Sequence, residues 1–65
     1  MKITVNGAPQ EVTGPCLSDA LAELGFSGPA LATALNGRFV AATARAETAL
    51  DEHDRLEVLA PMQGG

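Results

Sequence analysis

The chain has 65 residues, which allows at most one domain and is close to the lower limit at which a chain buries a core unaided. A domain of this size has little room for an enclosed pocket, so we expect a carrier, adaptor or binding module and not an enzyme. The formal charge of −4 and the four scattered basic residues argue against nucleic acid as a partner, because phosphate contacts need clustered Lys and Arg.

The N-terminal segment predicts a β-hairpin. Residues 2–6 alternate polar and apolar side chains, which is the pattern of a half-buried strand. Asn6-Gly7 favours a tight hairpin turn, because both residue types tolerate positive φ. The return strand would cover residues 9–13, where Pro9 suits a strand start or an edge because it has no N–H to donate.

A helix of about two turns is predicted after this hairpin. Ser18 is the expected N-cap, because its hydroxyl can accept a backbone N–H of the first turn. Leu17, Leu21 and Leu24 follow at helical spacing and would form the buried face. Gly25 is expected just beyond the helix end, where a left-handed residue is common.

The middle of the chain predicts two more strands. Residues 30–35 are apolar except for Thr33, which indicates a central strand covered on both faces. Asn36-Gly37 is a second turn signal, and residues 38–40 would form a short strand after it.

The C-terminal third predicts a loop and a last strand. Residues 41–50 contain helix-favouring alanines beside threonines, so we expect a short helical turn within a loop. Residues 51–54 form a polar turn, and residues 55–60 form a strand with Leu56 and Val58 pointing inward.

The predicted order of elements describes an α+β domain with a mixed four- to five-stranded sheet and one main helix packed across it. A β-hairpin, a crossing helix and a final central strand resemble the β-grasp, or ubiquitin-like, arrangement. The sheet order itself comes from that resemblance. We expect residues 1–61 to form the domain and residues 62–65 to form a flexible tail.

The tail carries the candidate chemistry, because it ends in Gly64-Gly65. A C-terminal carboxylate is ionised at neutral pH and is a poor electrophile until one oxygen becomes part of a leaving group. Reaction with the α-phosphate of ATP would give an acyl-adenylate that a sulfur or amine nucleophile can open. Glycine has no Cβ, so such a tail could pass through a narrow channel. This predicts Gly65 as the acyl site, Gly64 as the residue that permits access, and no catalytic side chain.

Three segments resemble the ThiS family of thiamine-biosynthesis sulfur carriers, and the resemblance extends over essentially the whole chain. They are residues 34–40, residues 46–50 and residues 54–58, followed by the Gly64-Gly65 ending. Two short segments depart from the family pattern: Ala41-Ala42 stands where many relatives have Pro-Arg, and Glu52-His53-Asp54 stands where Asp-Gly-Asp is usual. His53 is therefore expected to adopt positive φ.

The resemblance implies a specific reaction. A ubiquitin-activating-type adenylyltransferase (ThiF-like) would adenylate Gly65 with ATP and Mg, and the adenylate would be converted to a thiocarboxylate. A sulfur donor such as a cysteine desulfurase would supply the sulfur, and thiazole synthase (ThiG-like) would receive it. The chain would be a protein co-substrate that binds no cofactor itself. The alternatives are sulfur supply for molybdopterin, cysteine or tRNA thiolation, a ubiquitin-like modifier conjugated through Gly65, and an interaction module with an inert tail.

Further site hypotheses concern the end of the last strand. Leu59 should face away from the inward residues of this strand and could form a partner-docking patch with three residues that follow it at the end of the domain and the start of the tail. These three residues are Pro61, Met62 and Gln63. Alternatively, Leu59 could lie in a small second core under residues 41–50.

Two polar sites are weaker candidates. Cys16 precedes the predicted helix and could be a reactive thiol, although a lone cysteine is more often a small core residue. His53 lies among acidic residues, but adjacent residues of a turn rarely converge on one ion, so we expect a solvated turn and no metal site.

The compartment follows from what the sequence lacks. Its first residues have no apolar signal-peptide core, and no apolar run approaches the length of a bilayer span. A single cysteine also excludes an intramolecular disulfide. We therefore expect a cytoplasmic protein without a membrane partner.

Overall fold

A computed structural model describes residues 1–28 and 30–60, which form a five-stranded mixed sheet with a helix packed on one face. The elements in chain order are β1 (Lys2–Val5), β2 (Ala8–Glu11), α1 (Leu17–Glu23), β3 (Ala32–Leu35), β4 (Arg38–Val40), a 3-10 helix (Ala42–Glu47) and β5 (Arg55–Leu59). The sheet order is β2-β1-β5-β3-β4, and β5 pairs parallel with β1 and antiparallel with β3. This confirms the predicted α+β fold with its β-grasp arrangement and its final strand at the centre.

Both Asn-Gly pairs form the predicted hairpin turns. Asn6 has a φ of 50° and Gly7 a φ of 84°, while Asn36 and Gly37 have φ values of 51° and 84°. Positive φ at both central residues is the signature of the type I′ turn, whose twist matches that of the flanking strands. Pro9 lies in β2, which is an edge strand of the sheet. The open side of an edge strand has no neighbouring strand to bond, so a residue without an N–H is tolerated there.

The start of α1 differs from the prediction. Cys16 is the N-cap, without a side-chain capping bond, so the prediction of Ser18 was wrong. The cause is a tertiary contact: Cys16 is extended and forms a β-bridge with Ala49, and the N–H of Leu17 donates to Thr48 O at 2.8 Å. The partner that fixes the helix start therefore lies about thirty residues away along the chain.

The end of α1 agrees with the prediction. Gly25 has a φ of +86°, and its N–H donates to Ala22 O. The N–H of Phe26 donates to Leu21 O, which completes a Schellman motif. In the last turn, the Glu23 carboxylate accepts the N–H groups of Thr13 and Gly14, and these two bonds lower the pKa of Glu23 from its ordinary value. The helix end is thus tied to the loop that precedes the helix.

The core is aliphatic and lies between α1 and one face of the sheet. Leu56 and Val58 of β5 point into it as predicted, and so does the leucine face of the helix. The buried apolar residues are Ile3, Val5, Val12, Leu17, Ala20, Leu21, Leu50, Leu56 and Val58. Among residues 1–28 and 30–60, no helix is long and apolar enough to cross a bilayer.

Strand β3 differs from the prediction in two respects. It begins at Ala32, and only one of its faces is covered, so the prediction of a strand buried on both sides was wrong. Its polar residue is the one that points inward: Thr33 is 2% exposed and donates its hydroxyl to Val40 O at 2.8 Å. Ala32 and Ala34 point to the other face of the sheet, where they line an open groove.

The segment between β4 and β5 contains the expected helical turn, as a 3-10 helix, and the expected polar turn. His53 in that turn has a φ of 70°, as predicted from its place in the family pattern. Residues 51–54 thereby bring the chain back to the start of β5.

Candidate functional site

The predicted acyl site, Gly65, and the predicted access residue, Gly64, lie outside the described residues. So do three of the four predicted docking residues, Pro61, Met62 and Gln63. The predicted domain boundary at residue 61 lies there as well. The site is therefore built from the strand that leads to these residues, β5, and from the groups that fix its end.

Strand β5 is held unequally by its two neighbours. On one side, β3 pairs with it as far as Leu59, which is opposite Ala32. On the other side, within the part of the chain that the structure describes, β1 pairs with it at Thr4–Arg55 and Val5–Leu56. Beyond the pair Val5–Leu56, β1 turns into its hairpin. The backbone of β5 therefore extends past the end of β1.

The side chain of Asn6 occupies the place that β1 vacates. Its Nδ2 donates to Val58 O at 3.0 Å, and its Oδ1 accepts the N–H of Val58 at 2.8 Å. The backbone N–H of the same residue donates to Leu56 O at 2.9 Å. Asn6 therefore satisfies both backbone groups of Val58, just before the chain passes through Leu59 and Ala60 toward residues 61–65.

The face of the sheet opposite α1 carries exposed apolar residues beside the end of β5. Leu59 is 72% exposed, as predicted for a residue that faces away from the core. The alternative, a second core under residues 41–50, was wrong, because so exposed a side chain is not covered by that loop. Phe39 of β4 is 73% exposed on this same face.

An open groove of about 380 Å³ joins these side chains, and we name it the outer groove. It is lined by Asn6, Ala32, Thr33, Ala34, Phe39, Glu57, Val58 and Leu59. Its lining residues are apolar apart from Asn6, Thr33 and Glu57. Exposed apolar residues gathered on one face are typical of surfaces that contact other proteins.

Phe39 was missed by the sequence interpretation, although a signal for it existed. Side chains alternate along a strand, so a β4 whose Val40 packs against the core must direct Phe39 to the opposite face. Its cross-strand partner, Ala34, is on the same face. The outer groove thus extends over three strands, from β5 through β3 to β4.

Cys16 is half-buried and is not part of the apolar core. Its Sγ lies 3.2 Å from Ser18 Oγ and 3.1 Å from Asp19 Oδ2. The sulfur therefore belongs to a polar group at the start of α1, contrary to the interpretation as a small core residue.

The carboxylates around His53 bind backbone and amide groups. Glu52 accepts the N–H of Lys2, while Asp54 accepts Asn36 Nδ2 and the N–H of Asp51. These bonds shape the turn before β5. In residues 1–28 and 30–60, no group of three potential metal ligands is assembled.

Comparison with known proteins gives a consistent result. A model of the ThiS family matches residues 3–65. A crystal structure of a thiamine biosynthesis protein (ThiS) from Geobacter metallireducens is 30% identical, with a TM-score of 0.81 over 100% of both chains. An NMR solution structure of a thiamine biosynthesis protein from the same organism has the same identity and TM-score, over 100% of this chain and 88% of the other. A search of curated proteins finds no match.

Proposed function

This chain belongs to the ThiS family, and we propose that it is a sulfur carrier in thiamine biosynthesis whose reactive atom is the carboxyl carbon of Gly65. The observation that carries the proposal is the family match, which continues through Gly64 and Gly65 instead of stopping at the end of the sheet. The likeness in fold to the ThiS structure from Geobacter metallireducens supports it, since it covers the whole length of both chains.

The proposed reaction has two chemical steps. A carboxylate oxygen of Gly65 attacks the α-phosphorus of ATP, the bond to the β-phosphate breaks, and pyrophosphate leaves. A sulfur nucleophile then attacks the acyl carbon, and AMP leaves with the bonding electron pair. With hydrosulfide the product is the thiocarboxylate itself. With a persulfide it is an acyl disulfide, from which a second thiolate releases the thiocarboxylate by attacking the outer sulfur.

The carrier supplies the acyl group, and its partners supply the catalysis. ATP and Mg act in an adenylyltransferase of the ubiquitin-activating type, a cysteine desulfurase provides sulfur, and a thiazole synthase accepts it from the thiocarboxylate. The carrier is a co-substrate, so its own part is to dock and to deliver Gly65 in a productive direction.

We assign docking on the activating enzyme to the exposed side chains of Leu59 and Phe39 in the outer groove and to Pro61, Met62 and Gln63, which follow in the sequence. The groove combines the exposed side chains of Leu59 and Phe39 with the strand from which the tail continues. A partner that binds over these side chains therefore lies beside the end of β5, after which the tail follows in the sequence. Aromatic and aliphatic residues of this kind supply most of the binding energy in many interfaces.

The experiment that tests this function is the intact mass of the protein after incubation with ATP, Mg, its activating enzyme and a sulfur donor. We expect a gain equal to the replacement of one oxygen by sulfur, and fragmentation should localise that gain to Gly65. A variant extended by one alanine after Gly65 is the control and should show no gain. An unchanged mass, with an activating enzyme that is competent on another carrier, would refute the proposal, and a conjugate with a lysine of another protein would indicate a modifier.

A further inference from the structure

The end of β5 is the part of the described fold that leads to the tail. Val58 and Leu59 end this strand, and Ala60 is the last described residue before residues 61–65. Strand β3 fixes one side of this backbone through the pair Ala32–Leu59. On the other side, the contact to Val58 comes from the Asn6 side chain.

Asn6 is suited to this place by both its backbone and its side chain. Its φ of 50° allows β1 to turn into the hairpin, and asparagine is among the few residues that tolerate such a value. Its carboxamide has one donor edge and one acceptor edge, as a peptide group does. It therefore bonds to Val58 as the next residue of a parallel strand would, in a position where the backbone of β1 is no longer available.

We propose that Asn6 is a positioning residue for acyl transfer at Gly65, because its carboxamide fixes the last part of β5, the strand that leads to Gly65. The inference rests on the proposed function. Without the carboxamide, the N–H and C=O of Val58 would form hydrogen bonds with water instead of with Asn6. Strand β3 alone would then hold this part of β5. The end of β5 is then less rigidly held in a domain that is docked as before, and Gly65 reaches the α-phosphate of ATP in a productive geometry less often.

The chain offers a matched control in Asn36. This residue also opens an Asn-Gly turn, with a φ of 51°, and its Oδ1 accepts the N–H of a β5 residue, Arg55, at 2.9 Å. Its Nδ2 donates to Asp54 Oδ1 at 2.9 Å. Because β3 is antiparallel to β5, this bond lies at the start of β5, far along the strand from the tail. Asn36 thus has the same chemistry at the opposite end of the same strand.

The test compares Asn6→Gly with Asn36→Gly in pyrophosphate release by the activating enzyme. Glycine keeps the positive φ that both turns need, so each variant loses the carboxamide and retains the hairpin. For Asn6→Gly we expect kcat to fall about tenfold and KM to stay within about twofold, since a displacement of about 1 Å can cost as much as a hundredfold. For Asn36→Gly we expect both constants within about twofold of the wild type, because Asn6 still holds the end of β5.

Two further measurements separate positioning from loss of folded protein. A variant that is partly unfolded has fewer competent carriers, which raises the apparent KM and leaves kcat unchanged. Amide hydrogen exchange at Val58 should accelerate in Asn6→Gly and stay at the wild-type rate in Asn36→Gly. Asn6→Asp keeps the acceptor for the Val58 N–H and loses the donor to its C=O, so its kcat should lie between those of Asn6→Gly and the wild type.

The outcomes distinguish the inference from the function on which it rests. If the wild type releases pyrophosphate and gains sulfur, but Asn6→Gly matches Asn36→Gly in kcat, Asn6 has only a structural role and the inference is wrong. If the wild type does neither with a competent activating enzyme, the proposed function fails. In that case the exchange rate of Val58 still reports whether Asn6 holds the end of β5.

Discussion

Arg45 is a buried charged side chain that joins three elements of the fold. It is 9% exposed, and its Nη2 donates to Leu31 O at 2.6 Å. Its Nε donates at 3.1 Å to Thr33 Oγ1, whose own proton goes to Val40 O. Arg45 thereby bonds the 3-10 helix to β3 and to the segment before β3, and Thr33 in turn bonds β3 to β4. A buried guanidinium is tolerated because it is hydrogen-bonded, and the same bonds satisfy polar groups that would otherwise be orphaned.

We predict that Arg45→Ala destabilises the domain. The change leaves the carbonyl of Leu31 without this donor and removes the packed aliphatic stem, and one unsatisfied buried group costs about 1–3 kcal/mol. Urea unfolding followed by circular dichroism measures the effect. Arg38→Ala, at an exposed position of β4, is the control and should change stability by no more than about 0.5 kcal/mol. Equal stability of the two variants would show that the Arg45 bonds add nothing to the fold.

Neither Arg45 nor the role of Asn6 beyond its turn could be predicted from the sequence. Asn6-Gly7 identifies the turn, because the positive φ is a local property of the residue types. The bond of Asn6 to Val58 spans 52 positions and depends on the parallel pairing of β1 with β5. From the sequence alone, Arg45 would be taken for an exposed basic residue, because no local pattern shows that the 3-10 helix lies against Thr33. In both cases the missing information is a long-range contact.

At the scale of elements, the two faces of the sheet are used differently. One face carries the aliphatic core beneath α1, and the other carries the outer groove with Leu59 and Phe39. Alternation along the strands predicts this for β5, where buried and exposed residues follow each other strictly. It fails for β3, because a run of small apolar residues does not reveal which face of the strand is covered. The helix start was missed for a related reason, since a bridge to Ala49 decides it.

We predict that Leu59→Ser and Phe39→Ser each weaken binding to the activating enzyme by about tenfold or more, as expected for central apolar residues of an interface. Both side chains are more than two-thirds exposed, so unfolding free energies should remain close to that of the wild type. Isothermal titration calorimetry with the activating enzyme measures the dissociation constants. Arg55→Ser, at an exposed position at the other end of β5, is the control and should bind as the wild type does. Wild-type affinity in both serine variants would place the docking surface elsewhere.

At the scale of the whole molecule, the described residues use one face of the sheet for the core and leave the other face, with the outer groove and the end of β5, open. This division supports the proposal that the chain docks on partners and leaves catalysis to them. The fold class could be predicted from the sequence because the two Asn-Gly turns and the alternation along the strands are local patterns, and the Gly-Gly ending, also local, predicts Gly65 as the acyl site. The outer groove is formed by β5, β3 and β4, which lie side by side in the sheet. Of its lining residues, the sequence predicted only Leu59 as a docking residue.

The proposed sulfur transfer is tested most directly by following sulfur from this protein to the thiazole product. The thiocarboxylate form is prepared with a heavy sulfur isotope, separated from the sulfur donor, and incubated with thiazole synthase and its small-molecule substrates. We predict that the thiazole product carries the heavy isotope, that the carrier returns to its carboxylate mass, and that carrier lacking Gly65 yields no labelled product. Thiazole formed without the label, or a carrier that keeps its sulfur in the presence of an active synthase, would contradict the assignment of this protein to sulfur delivery for thiamine.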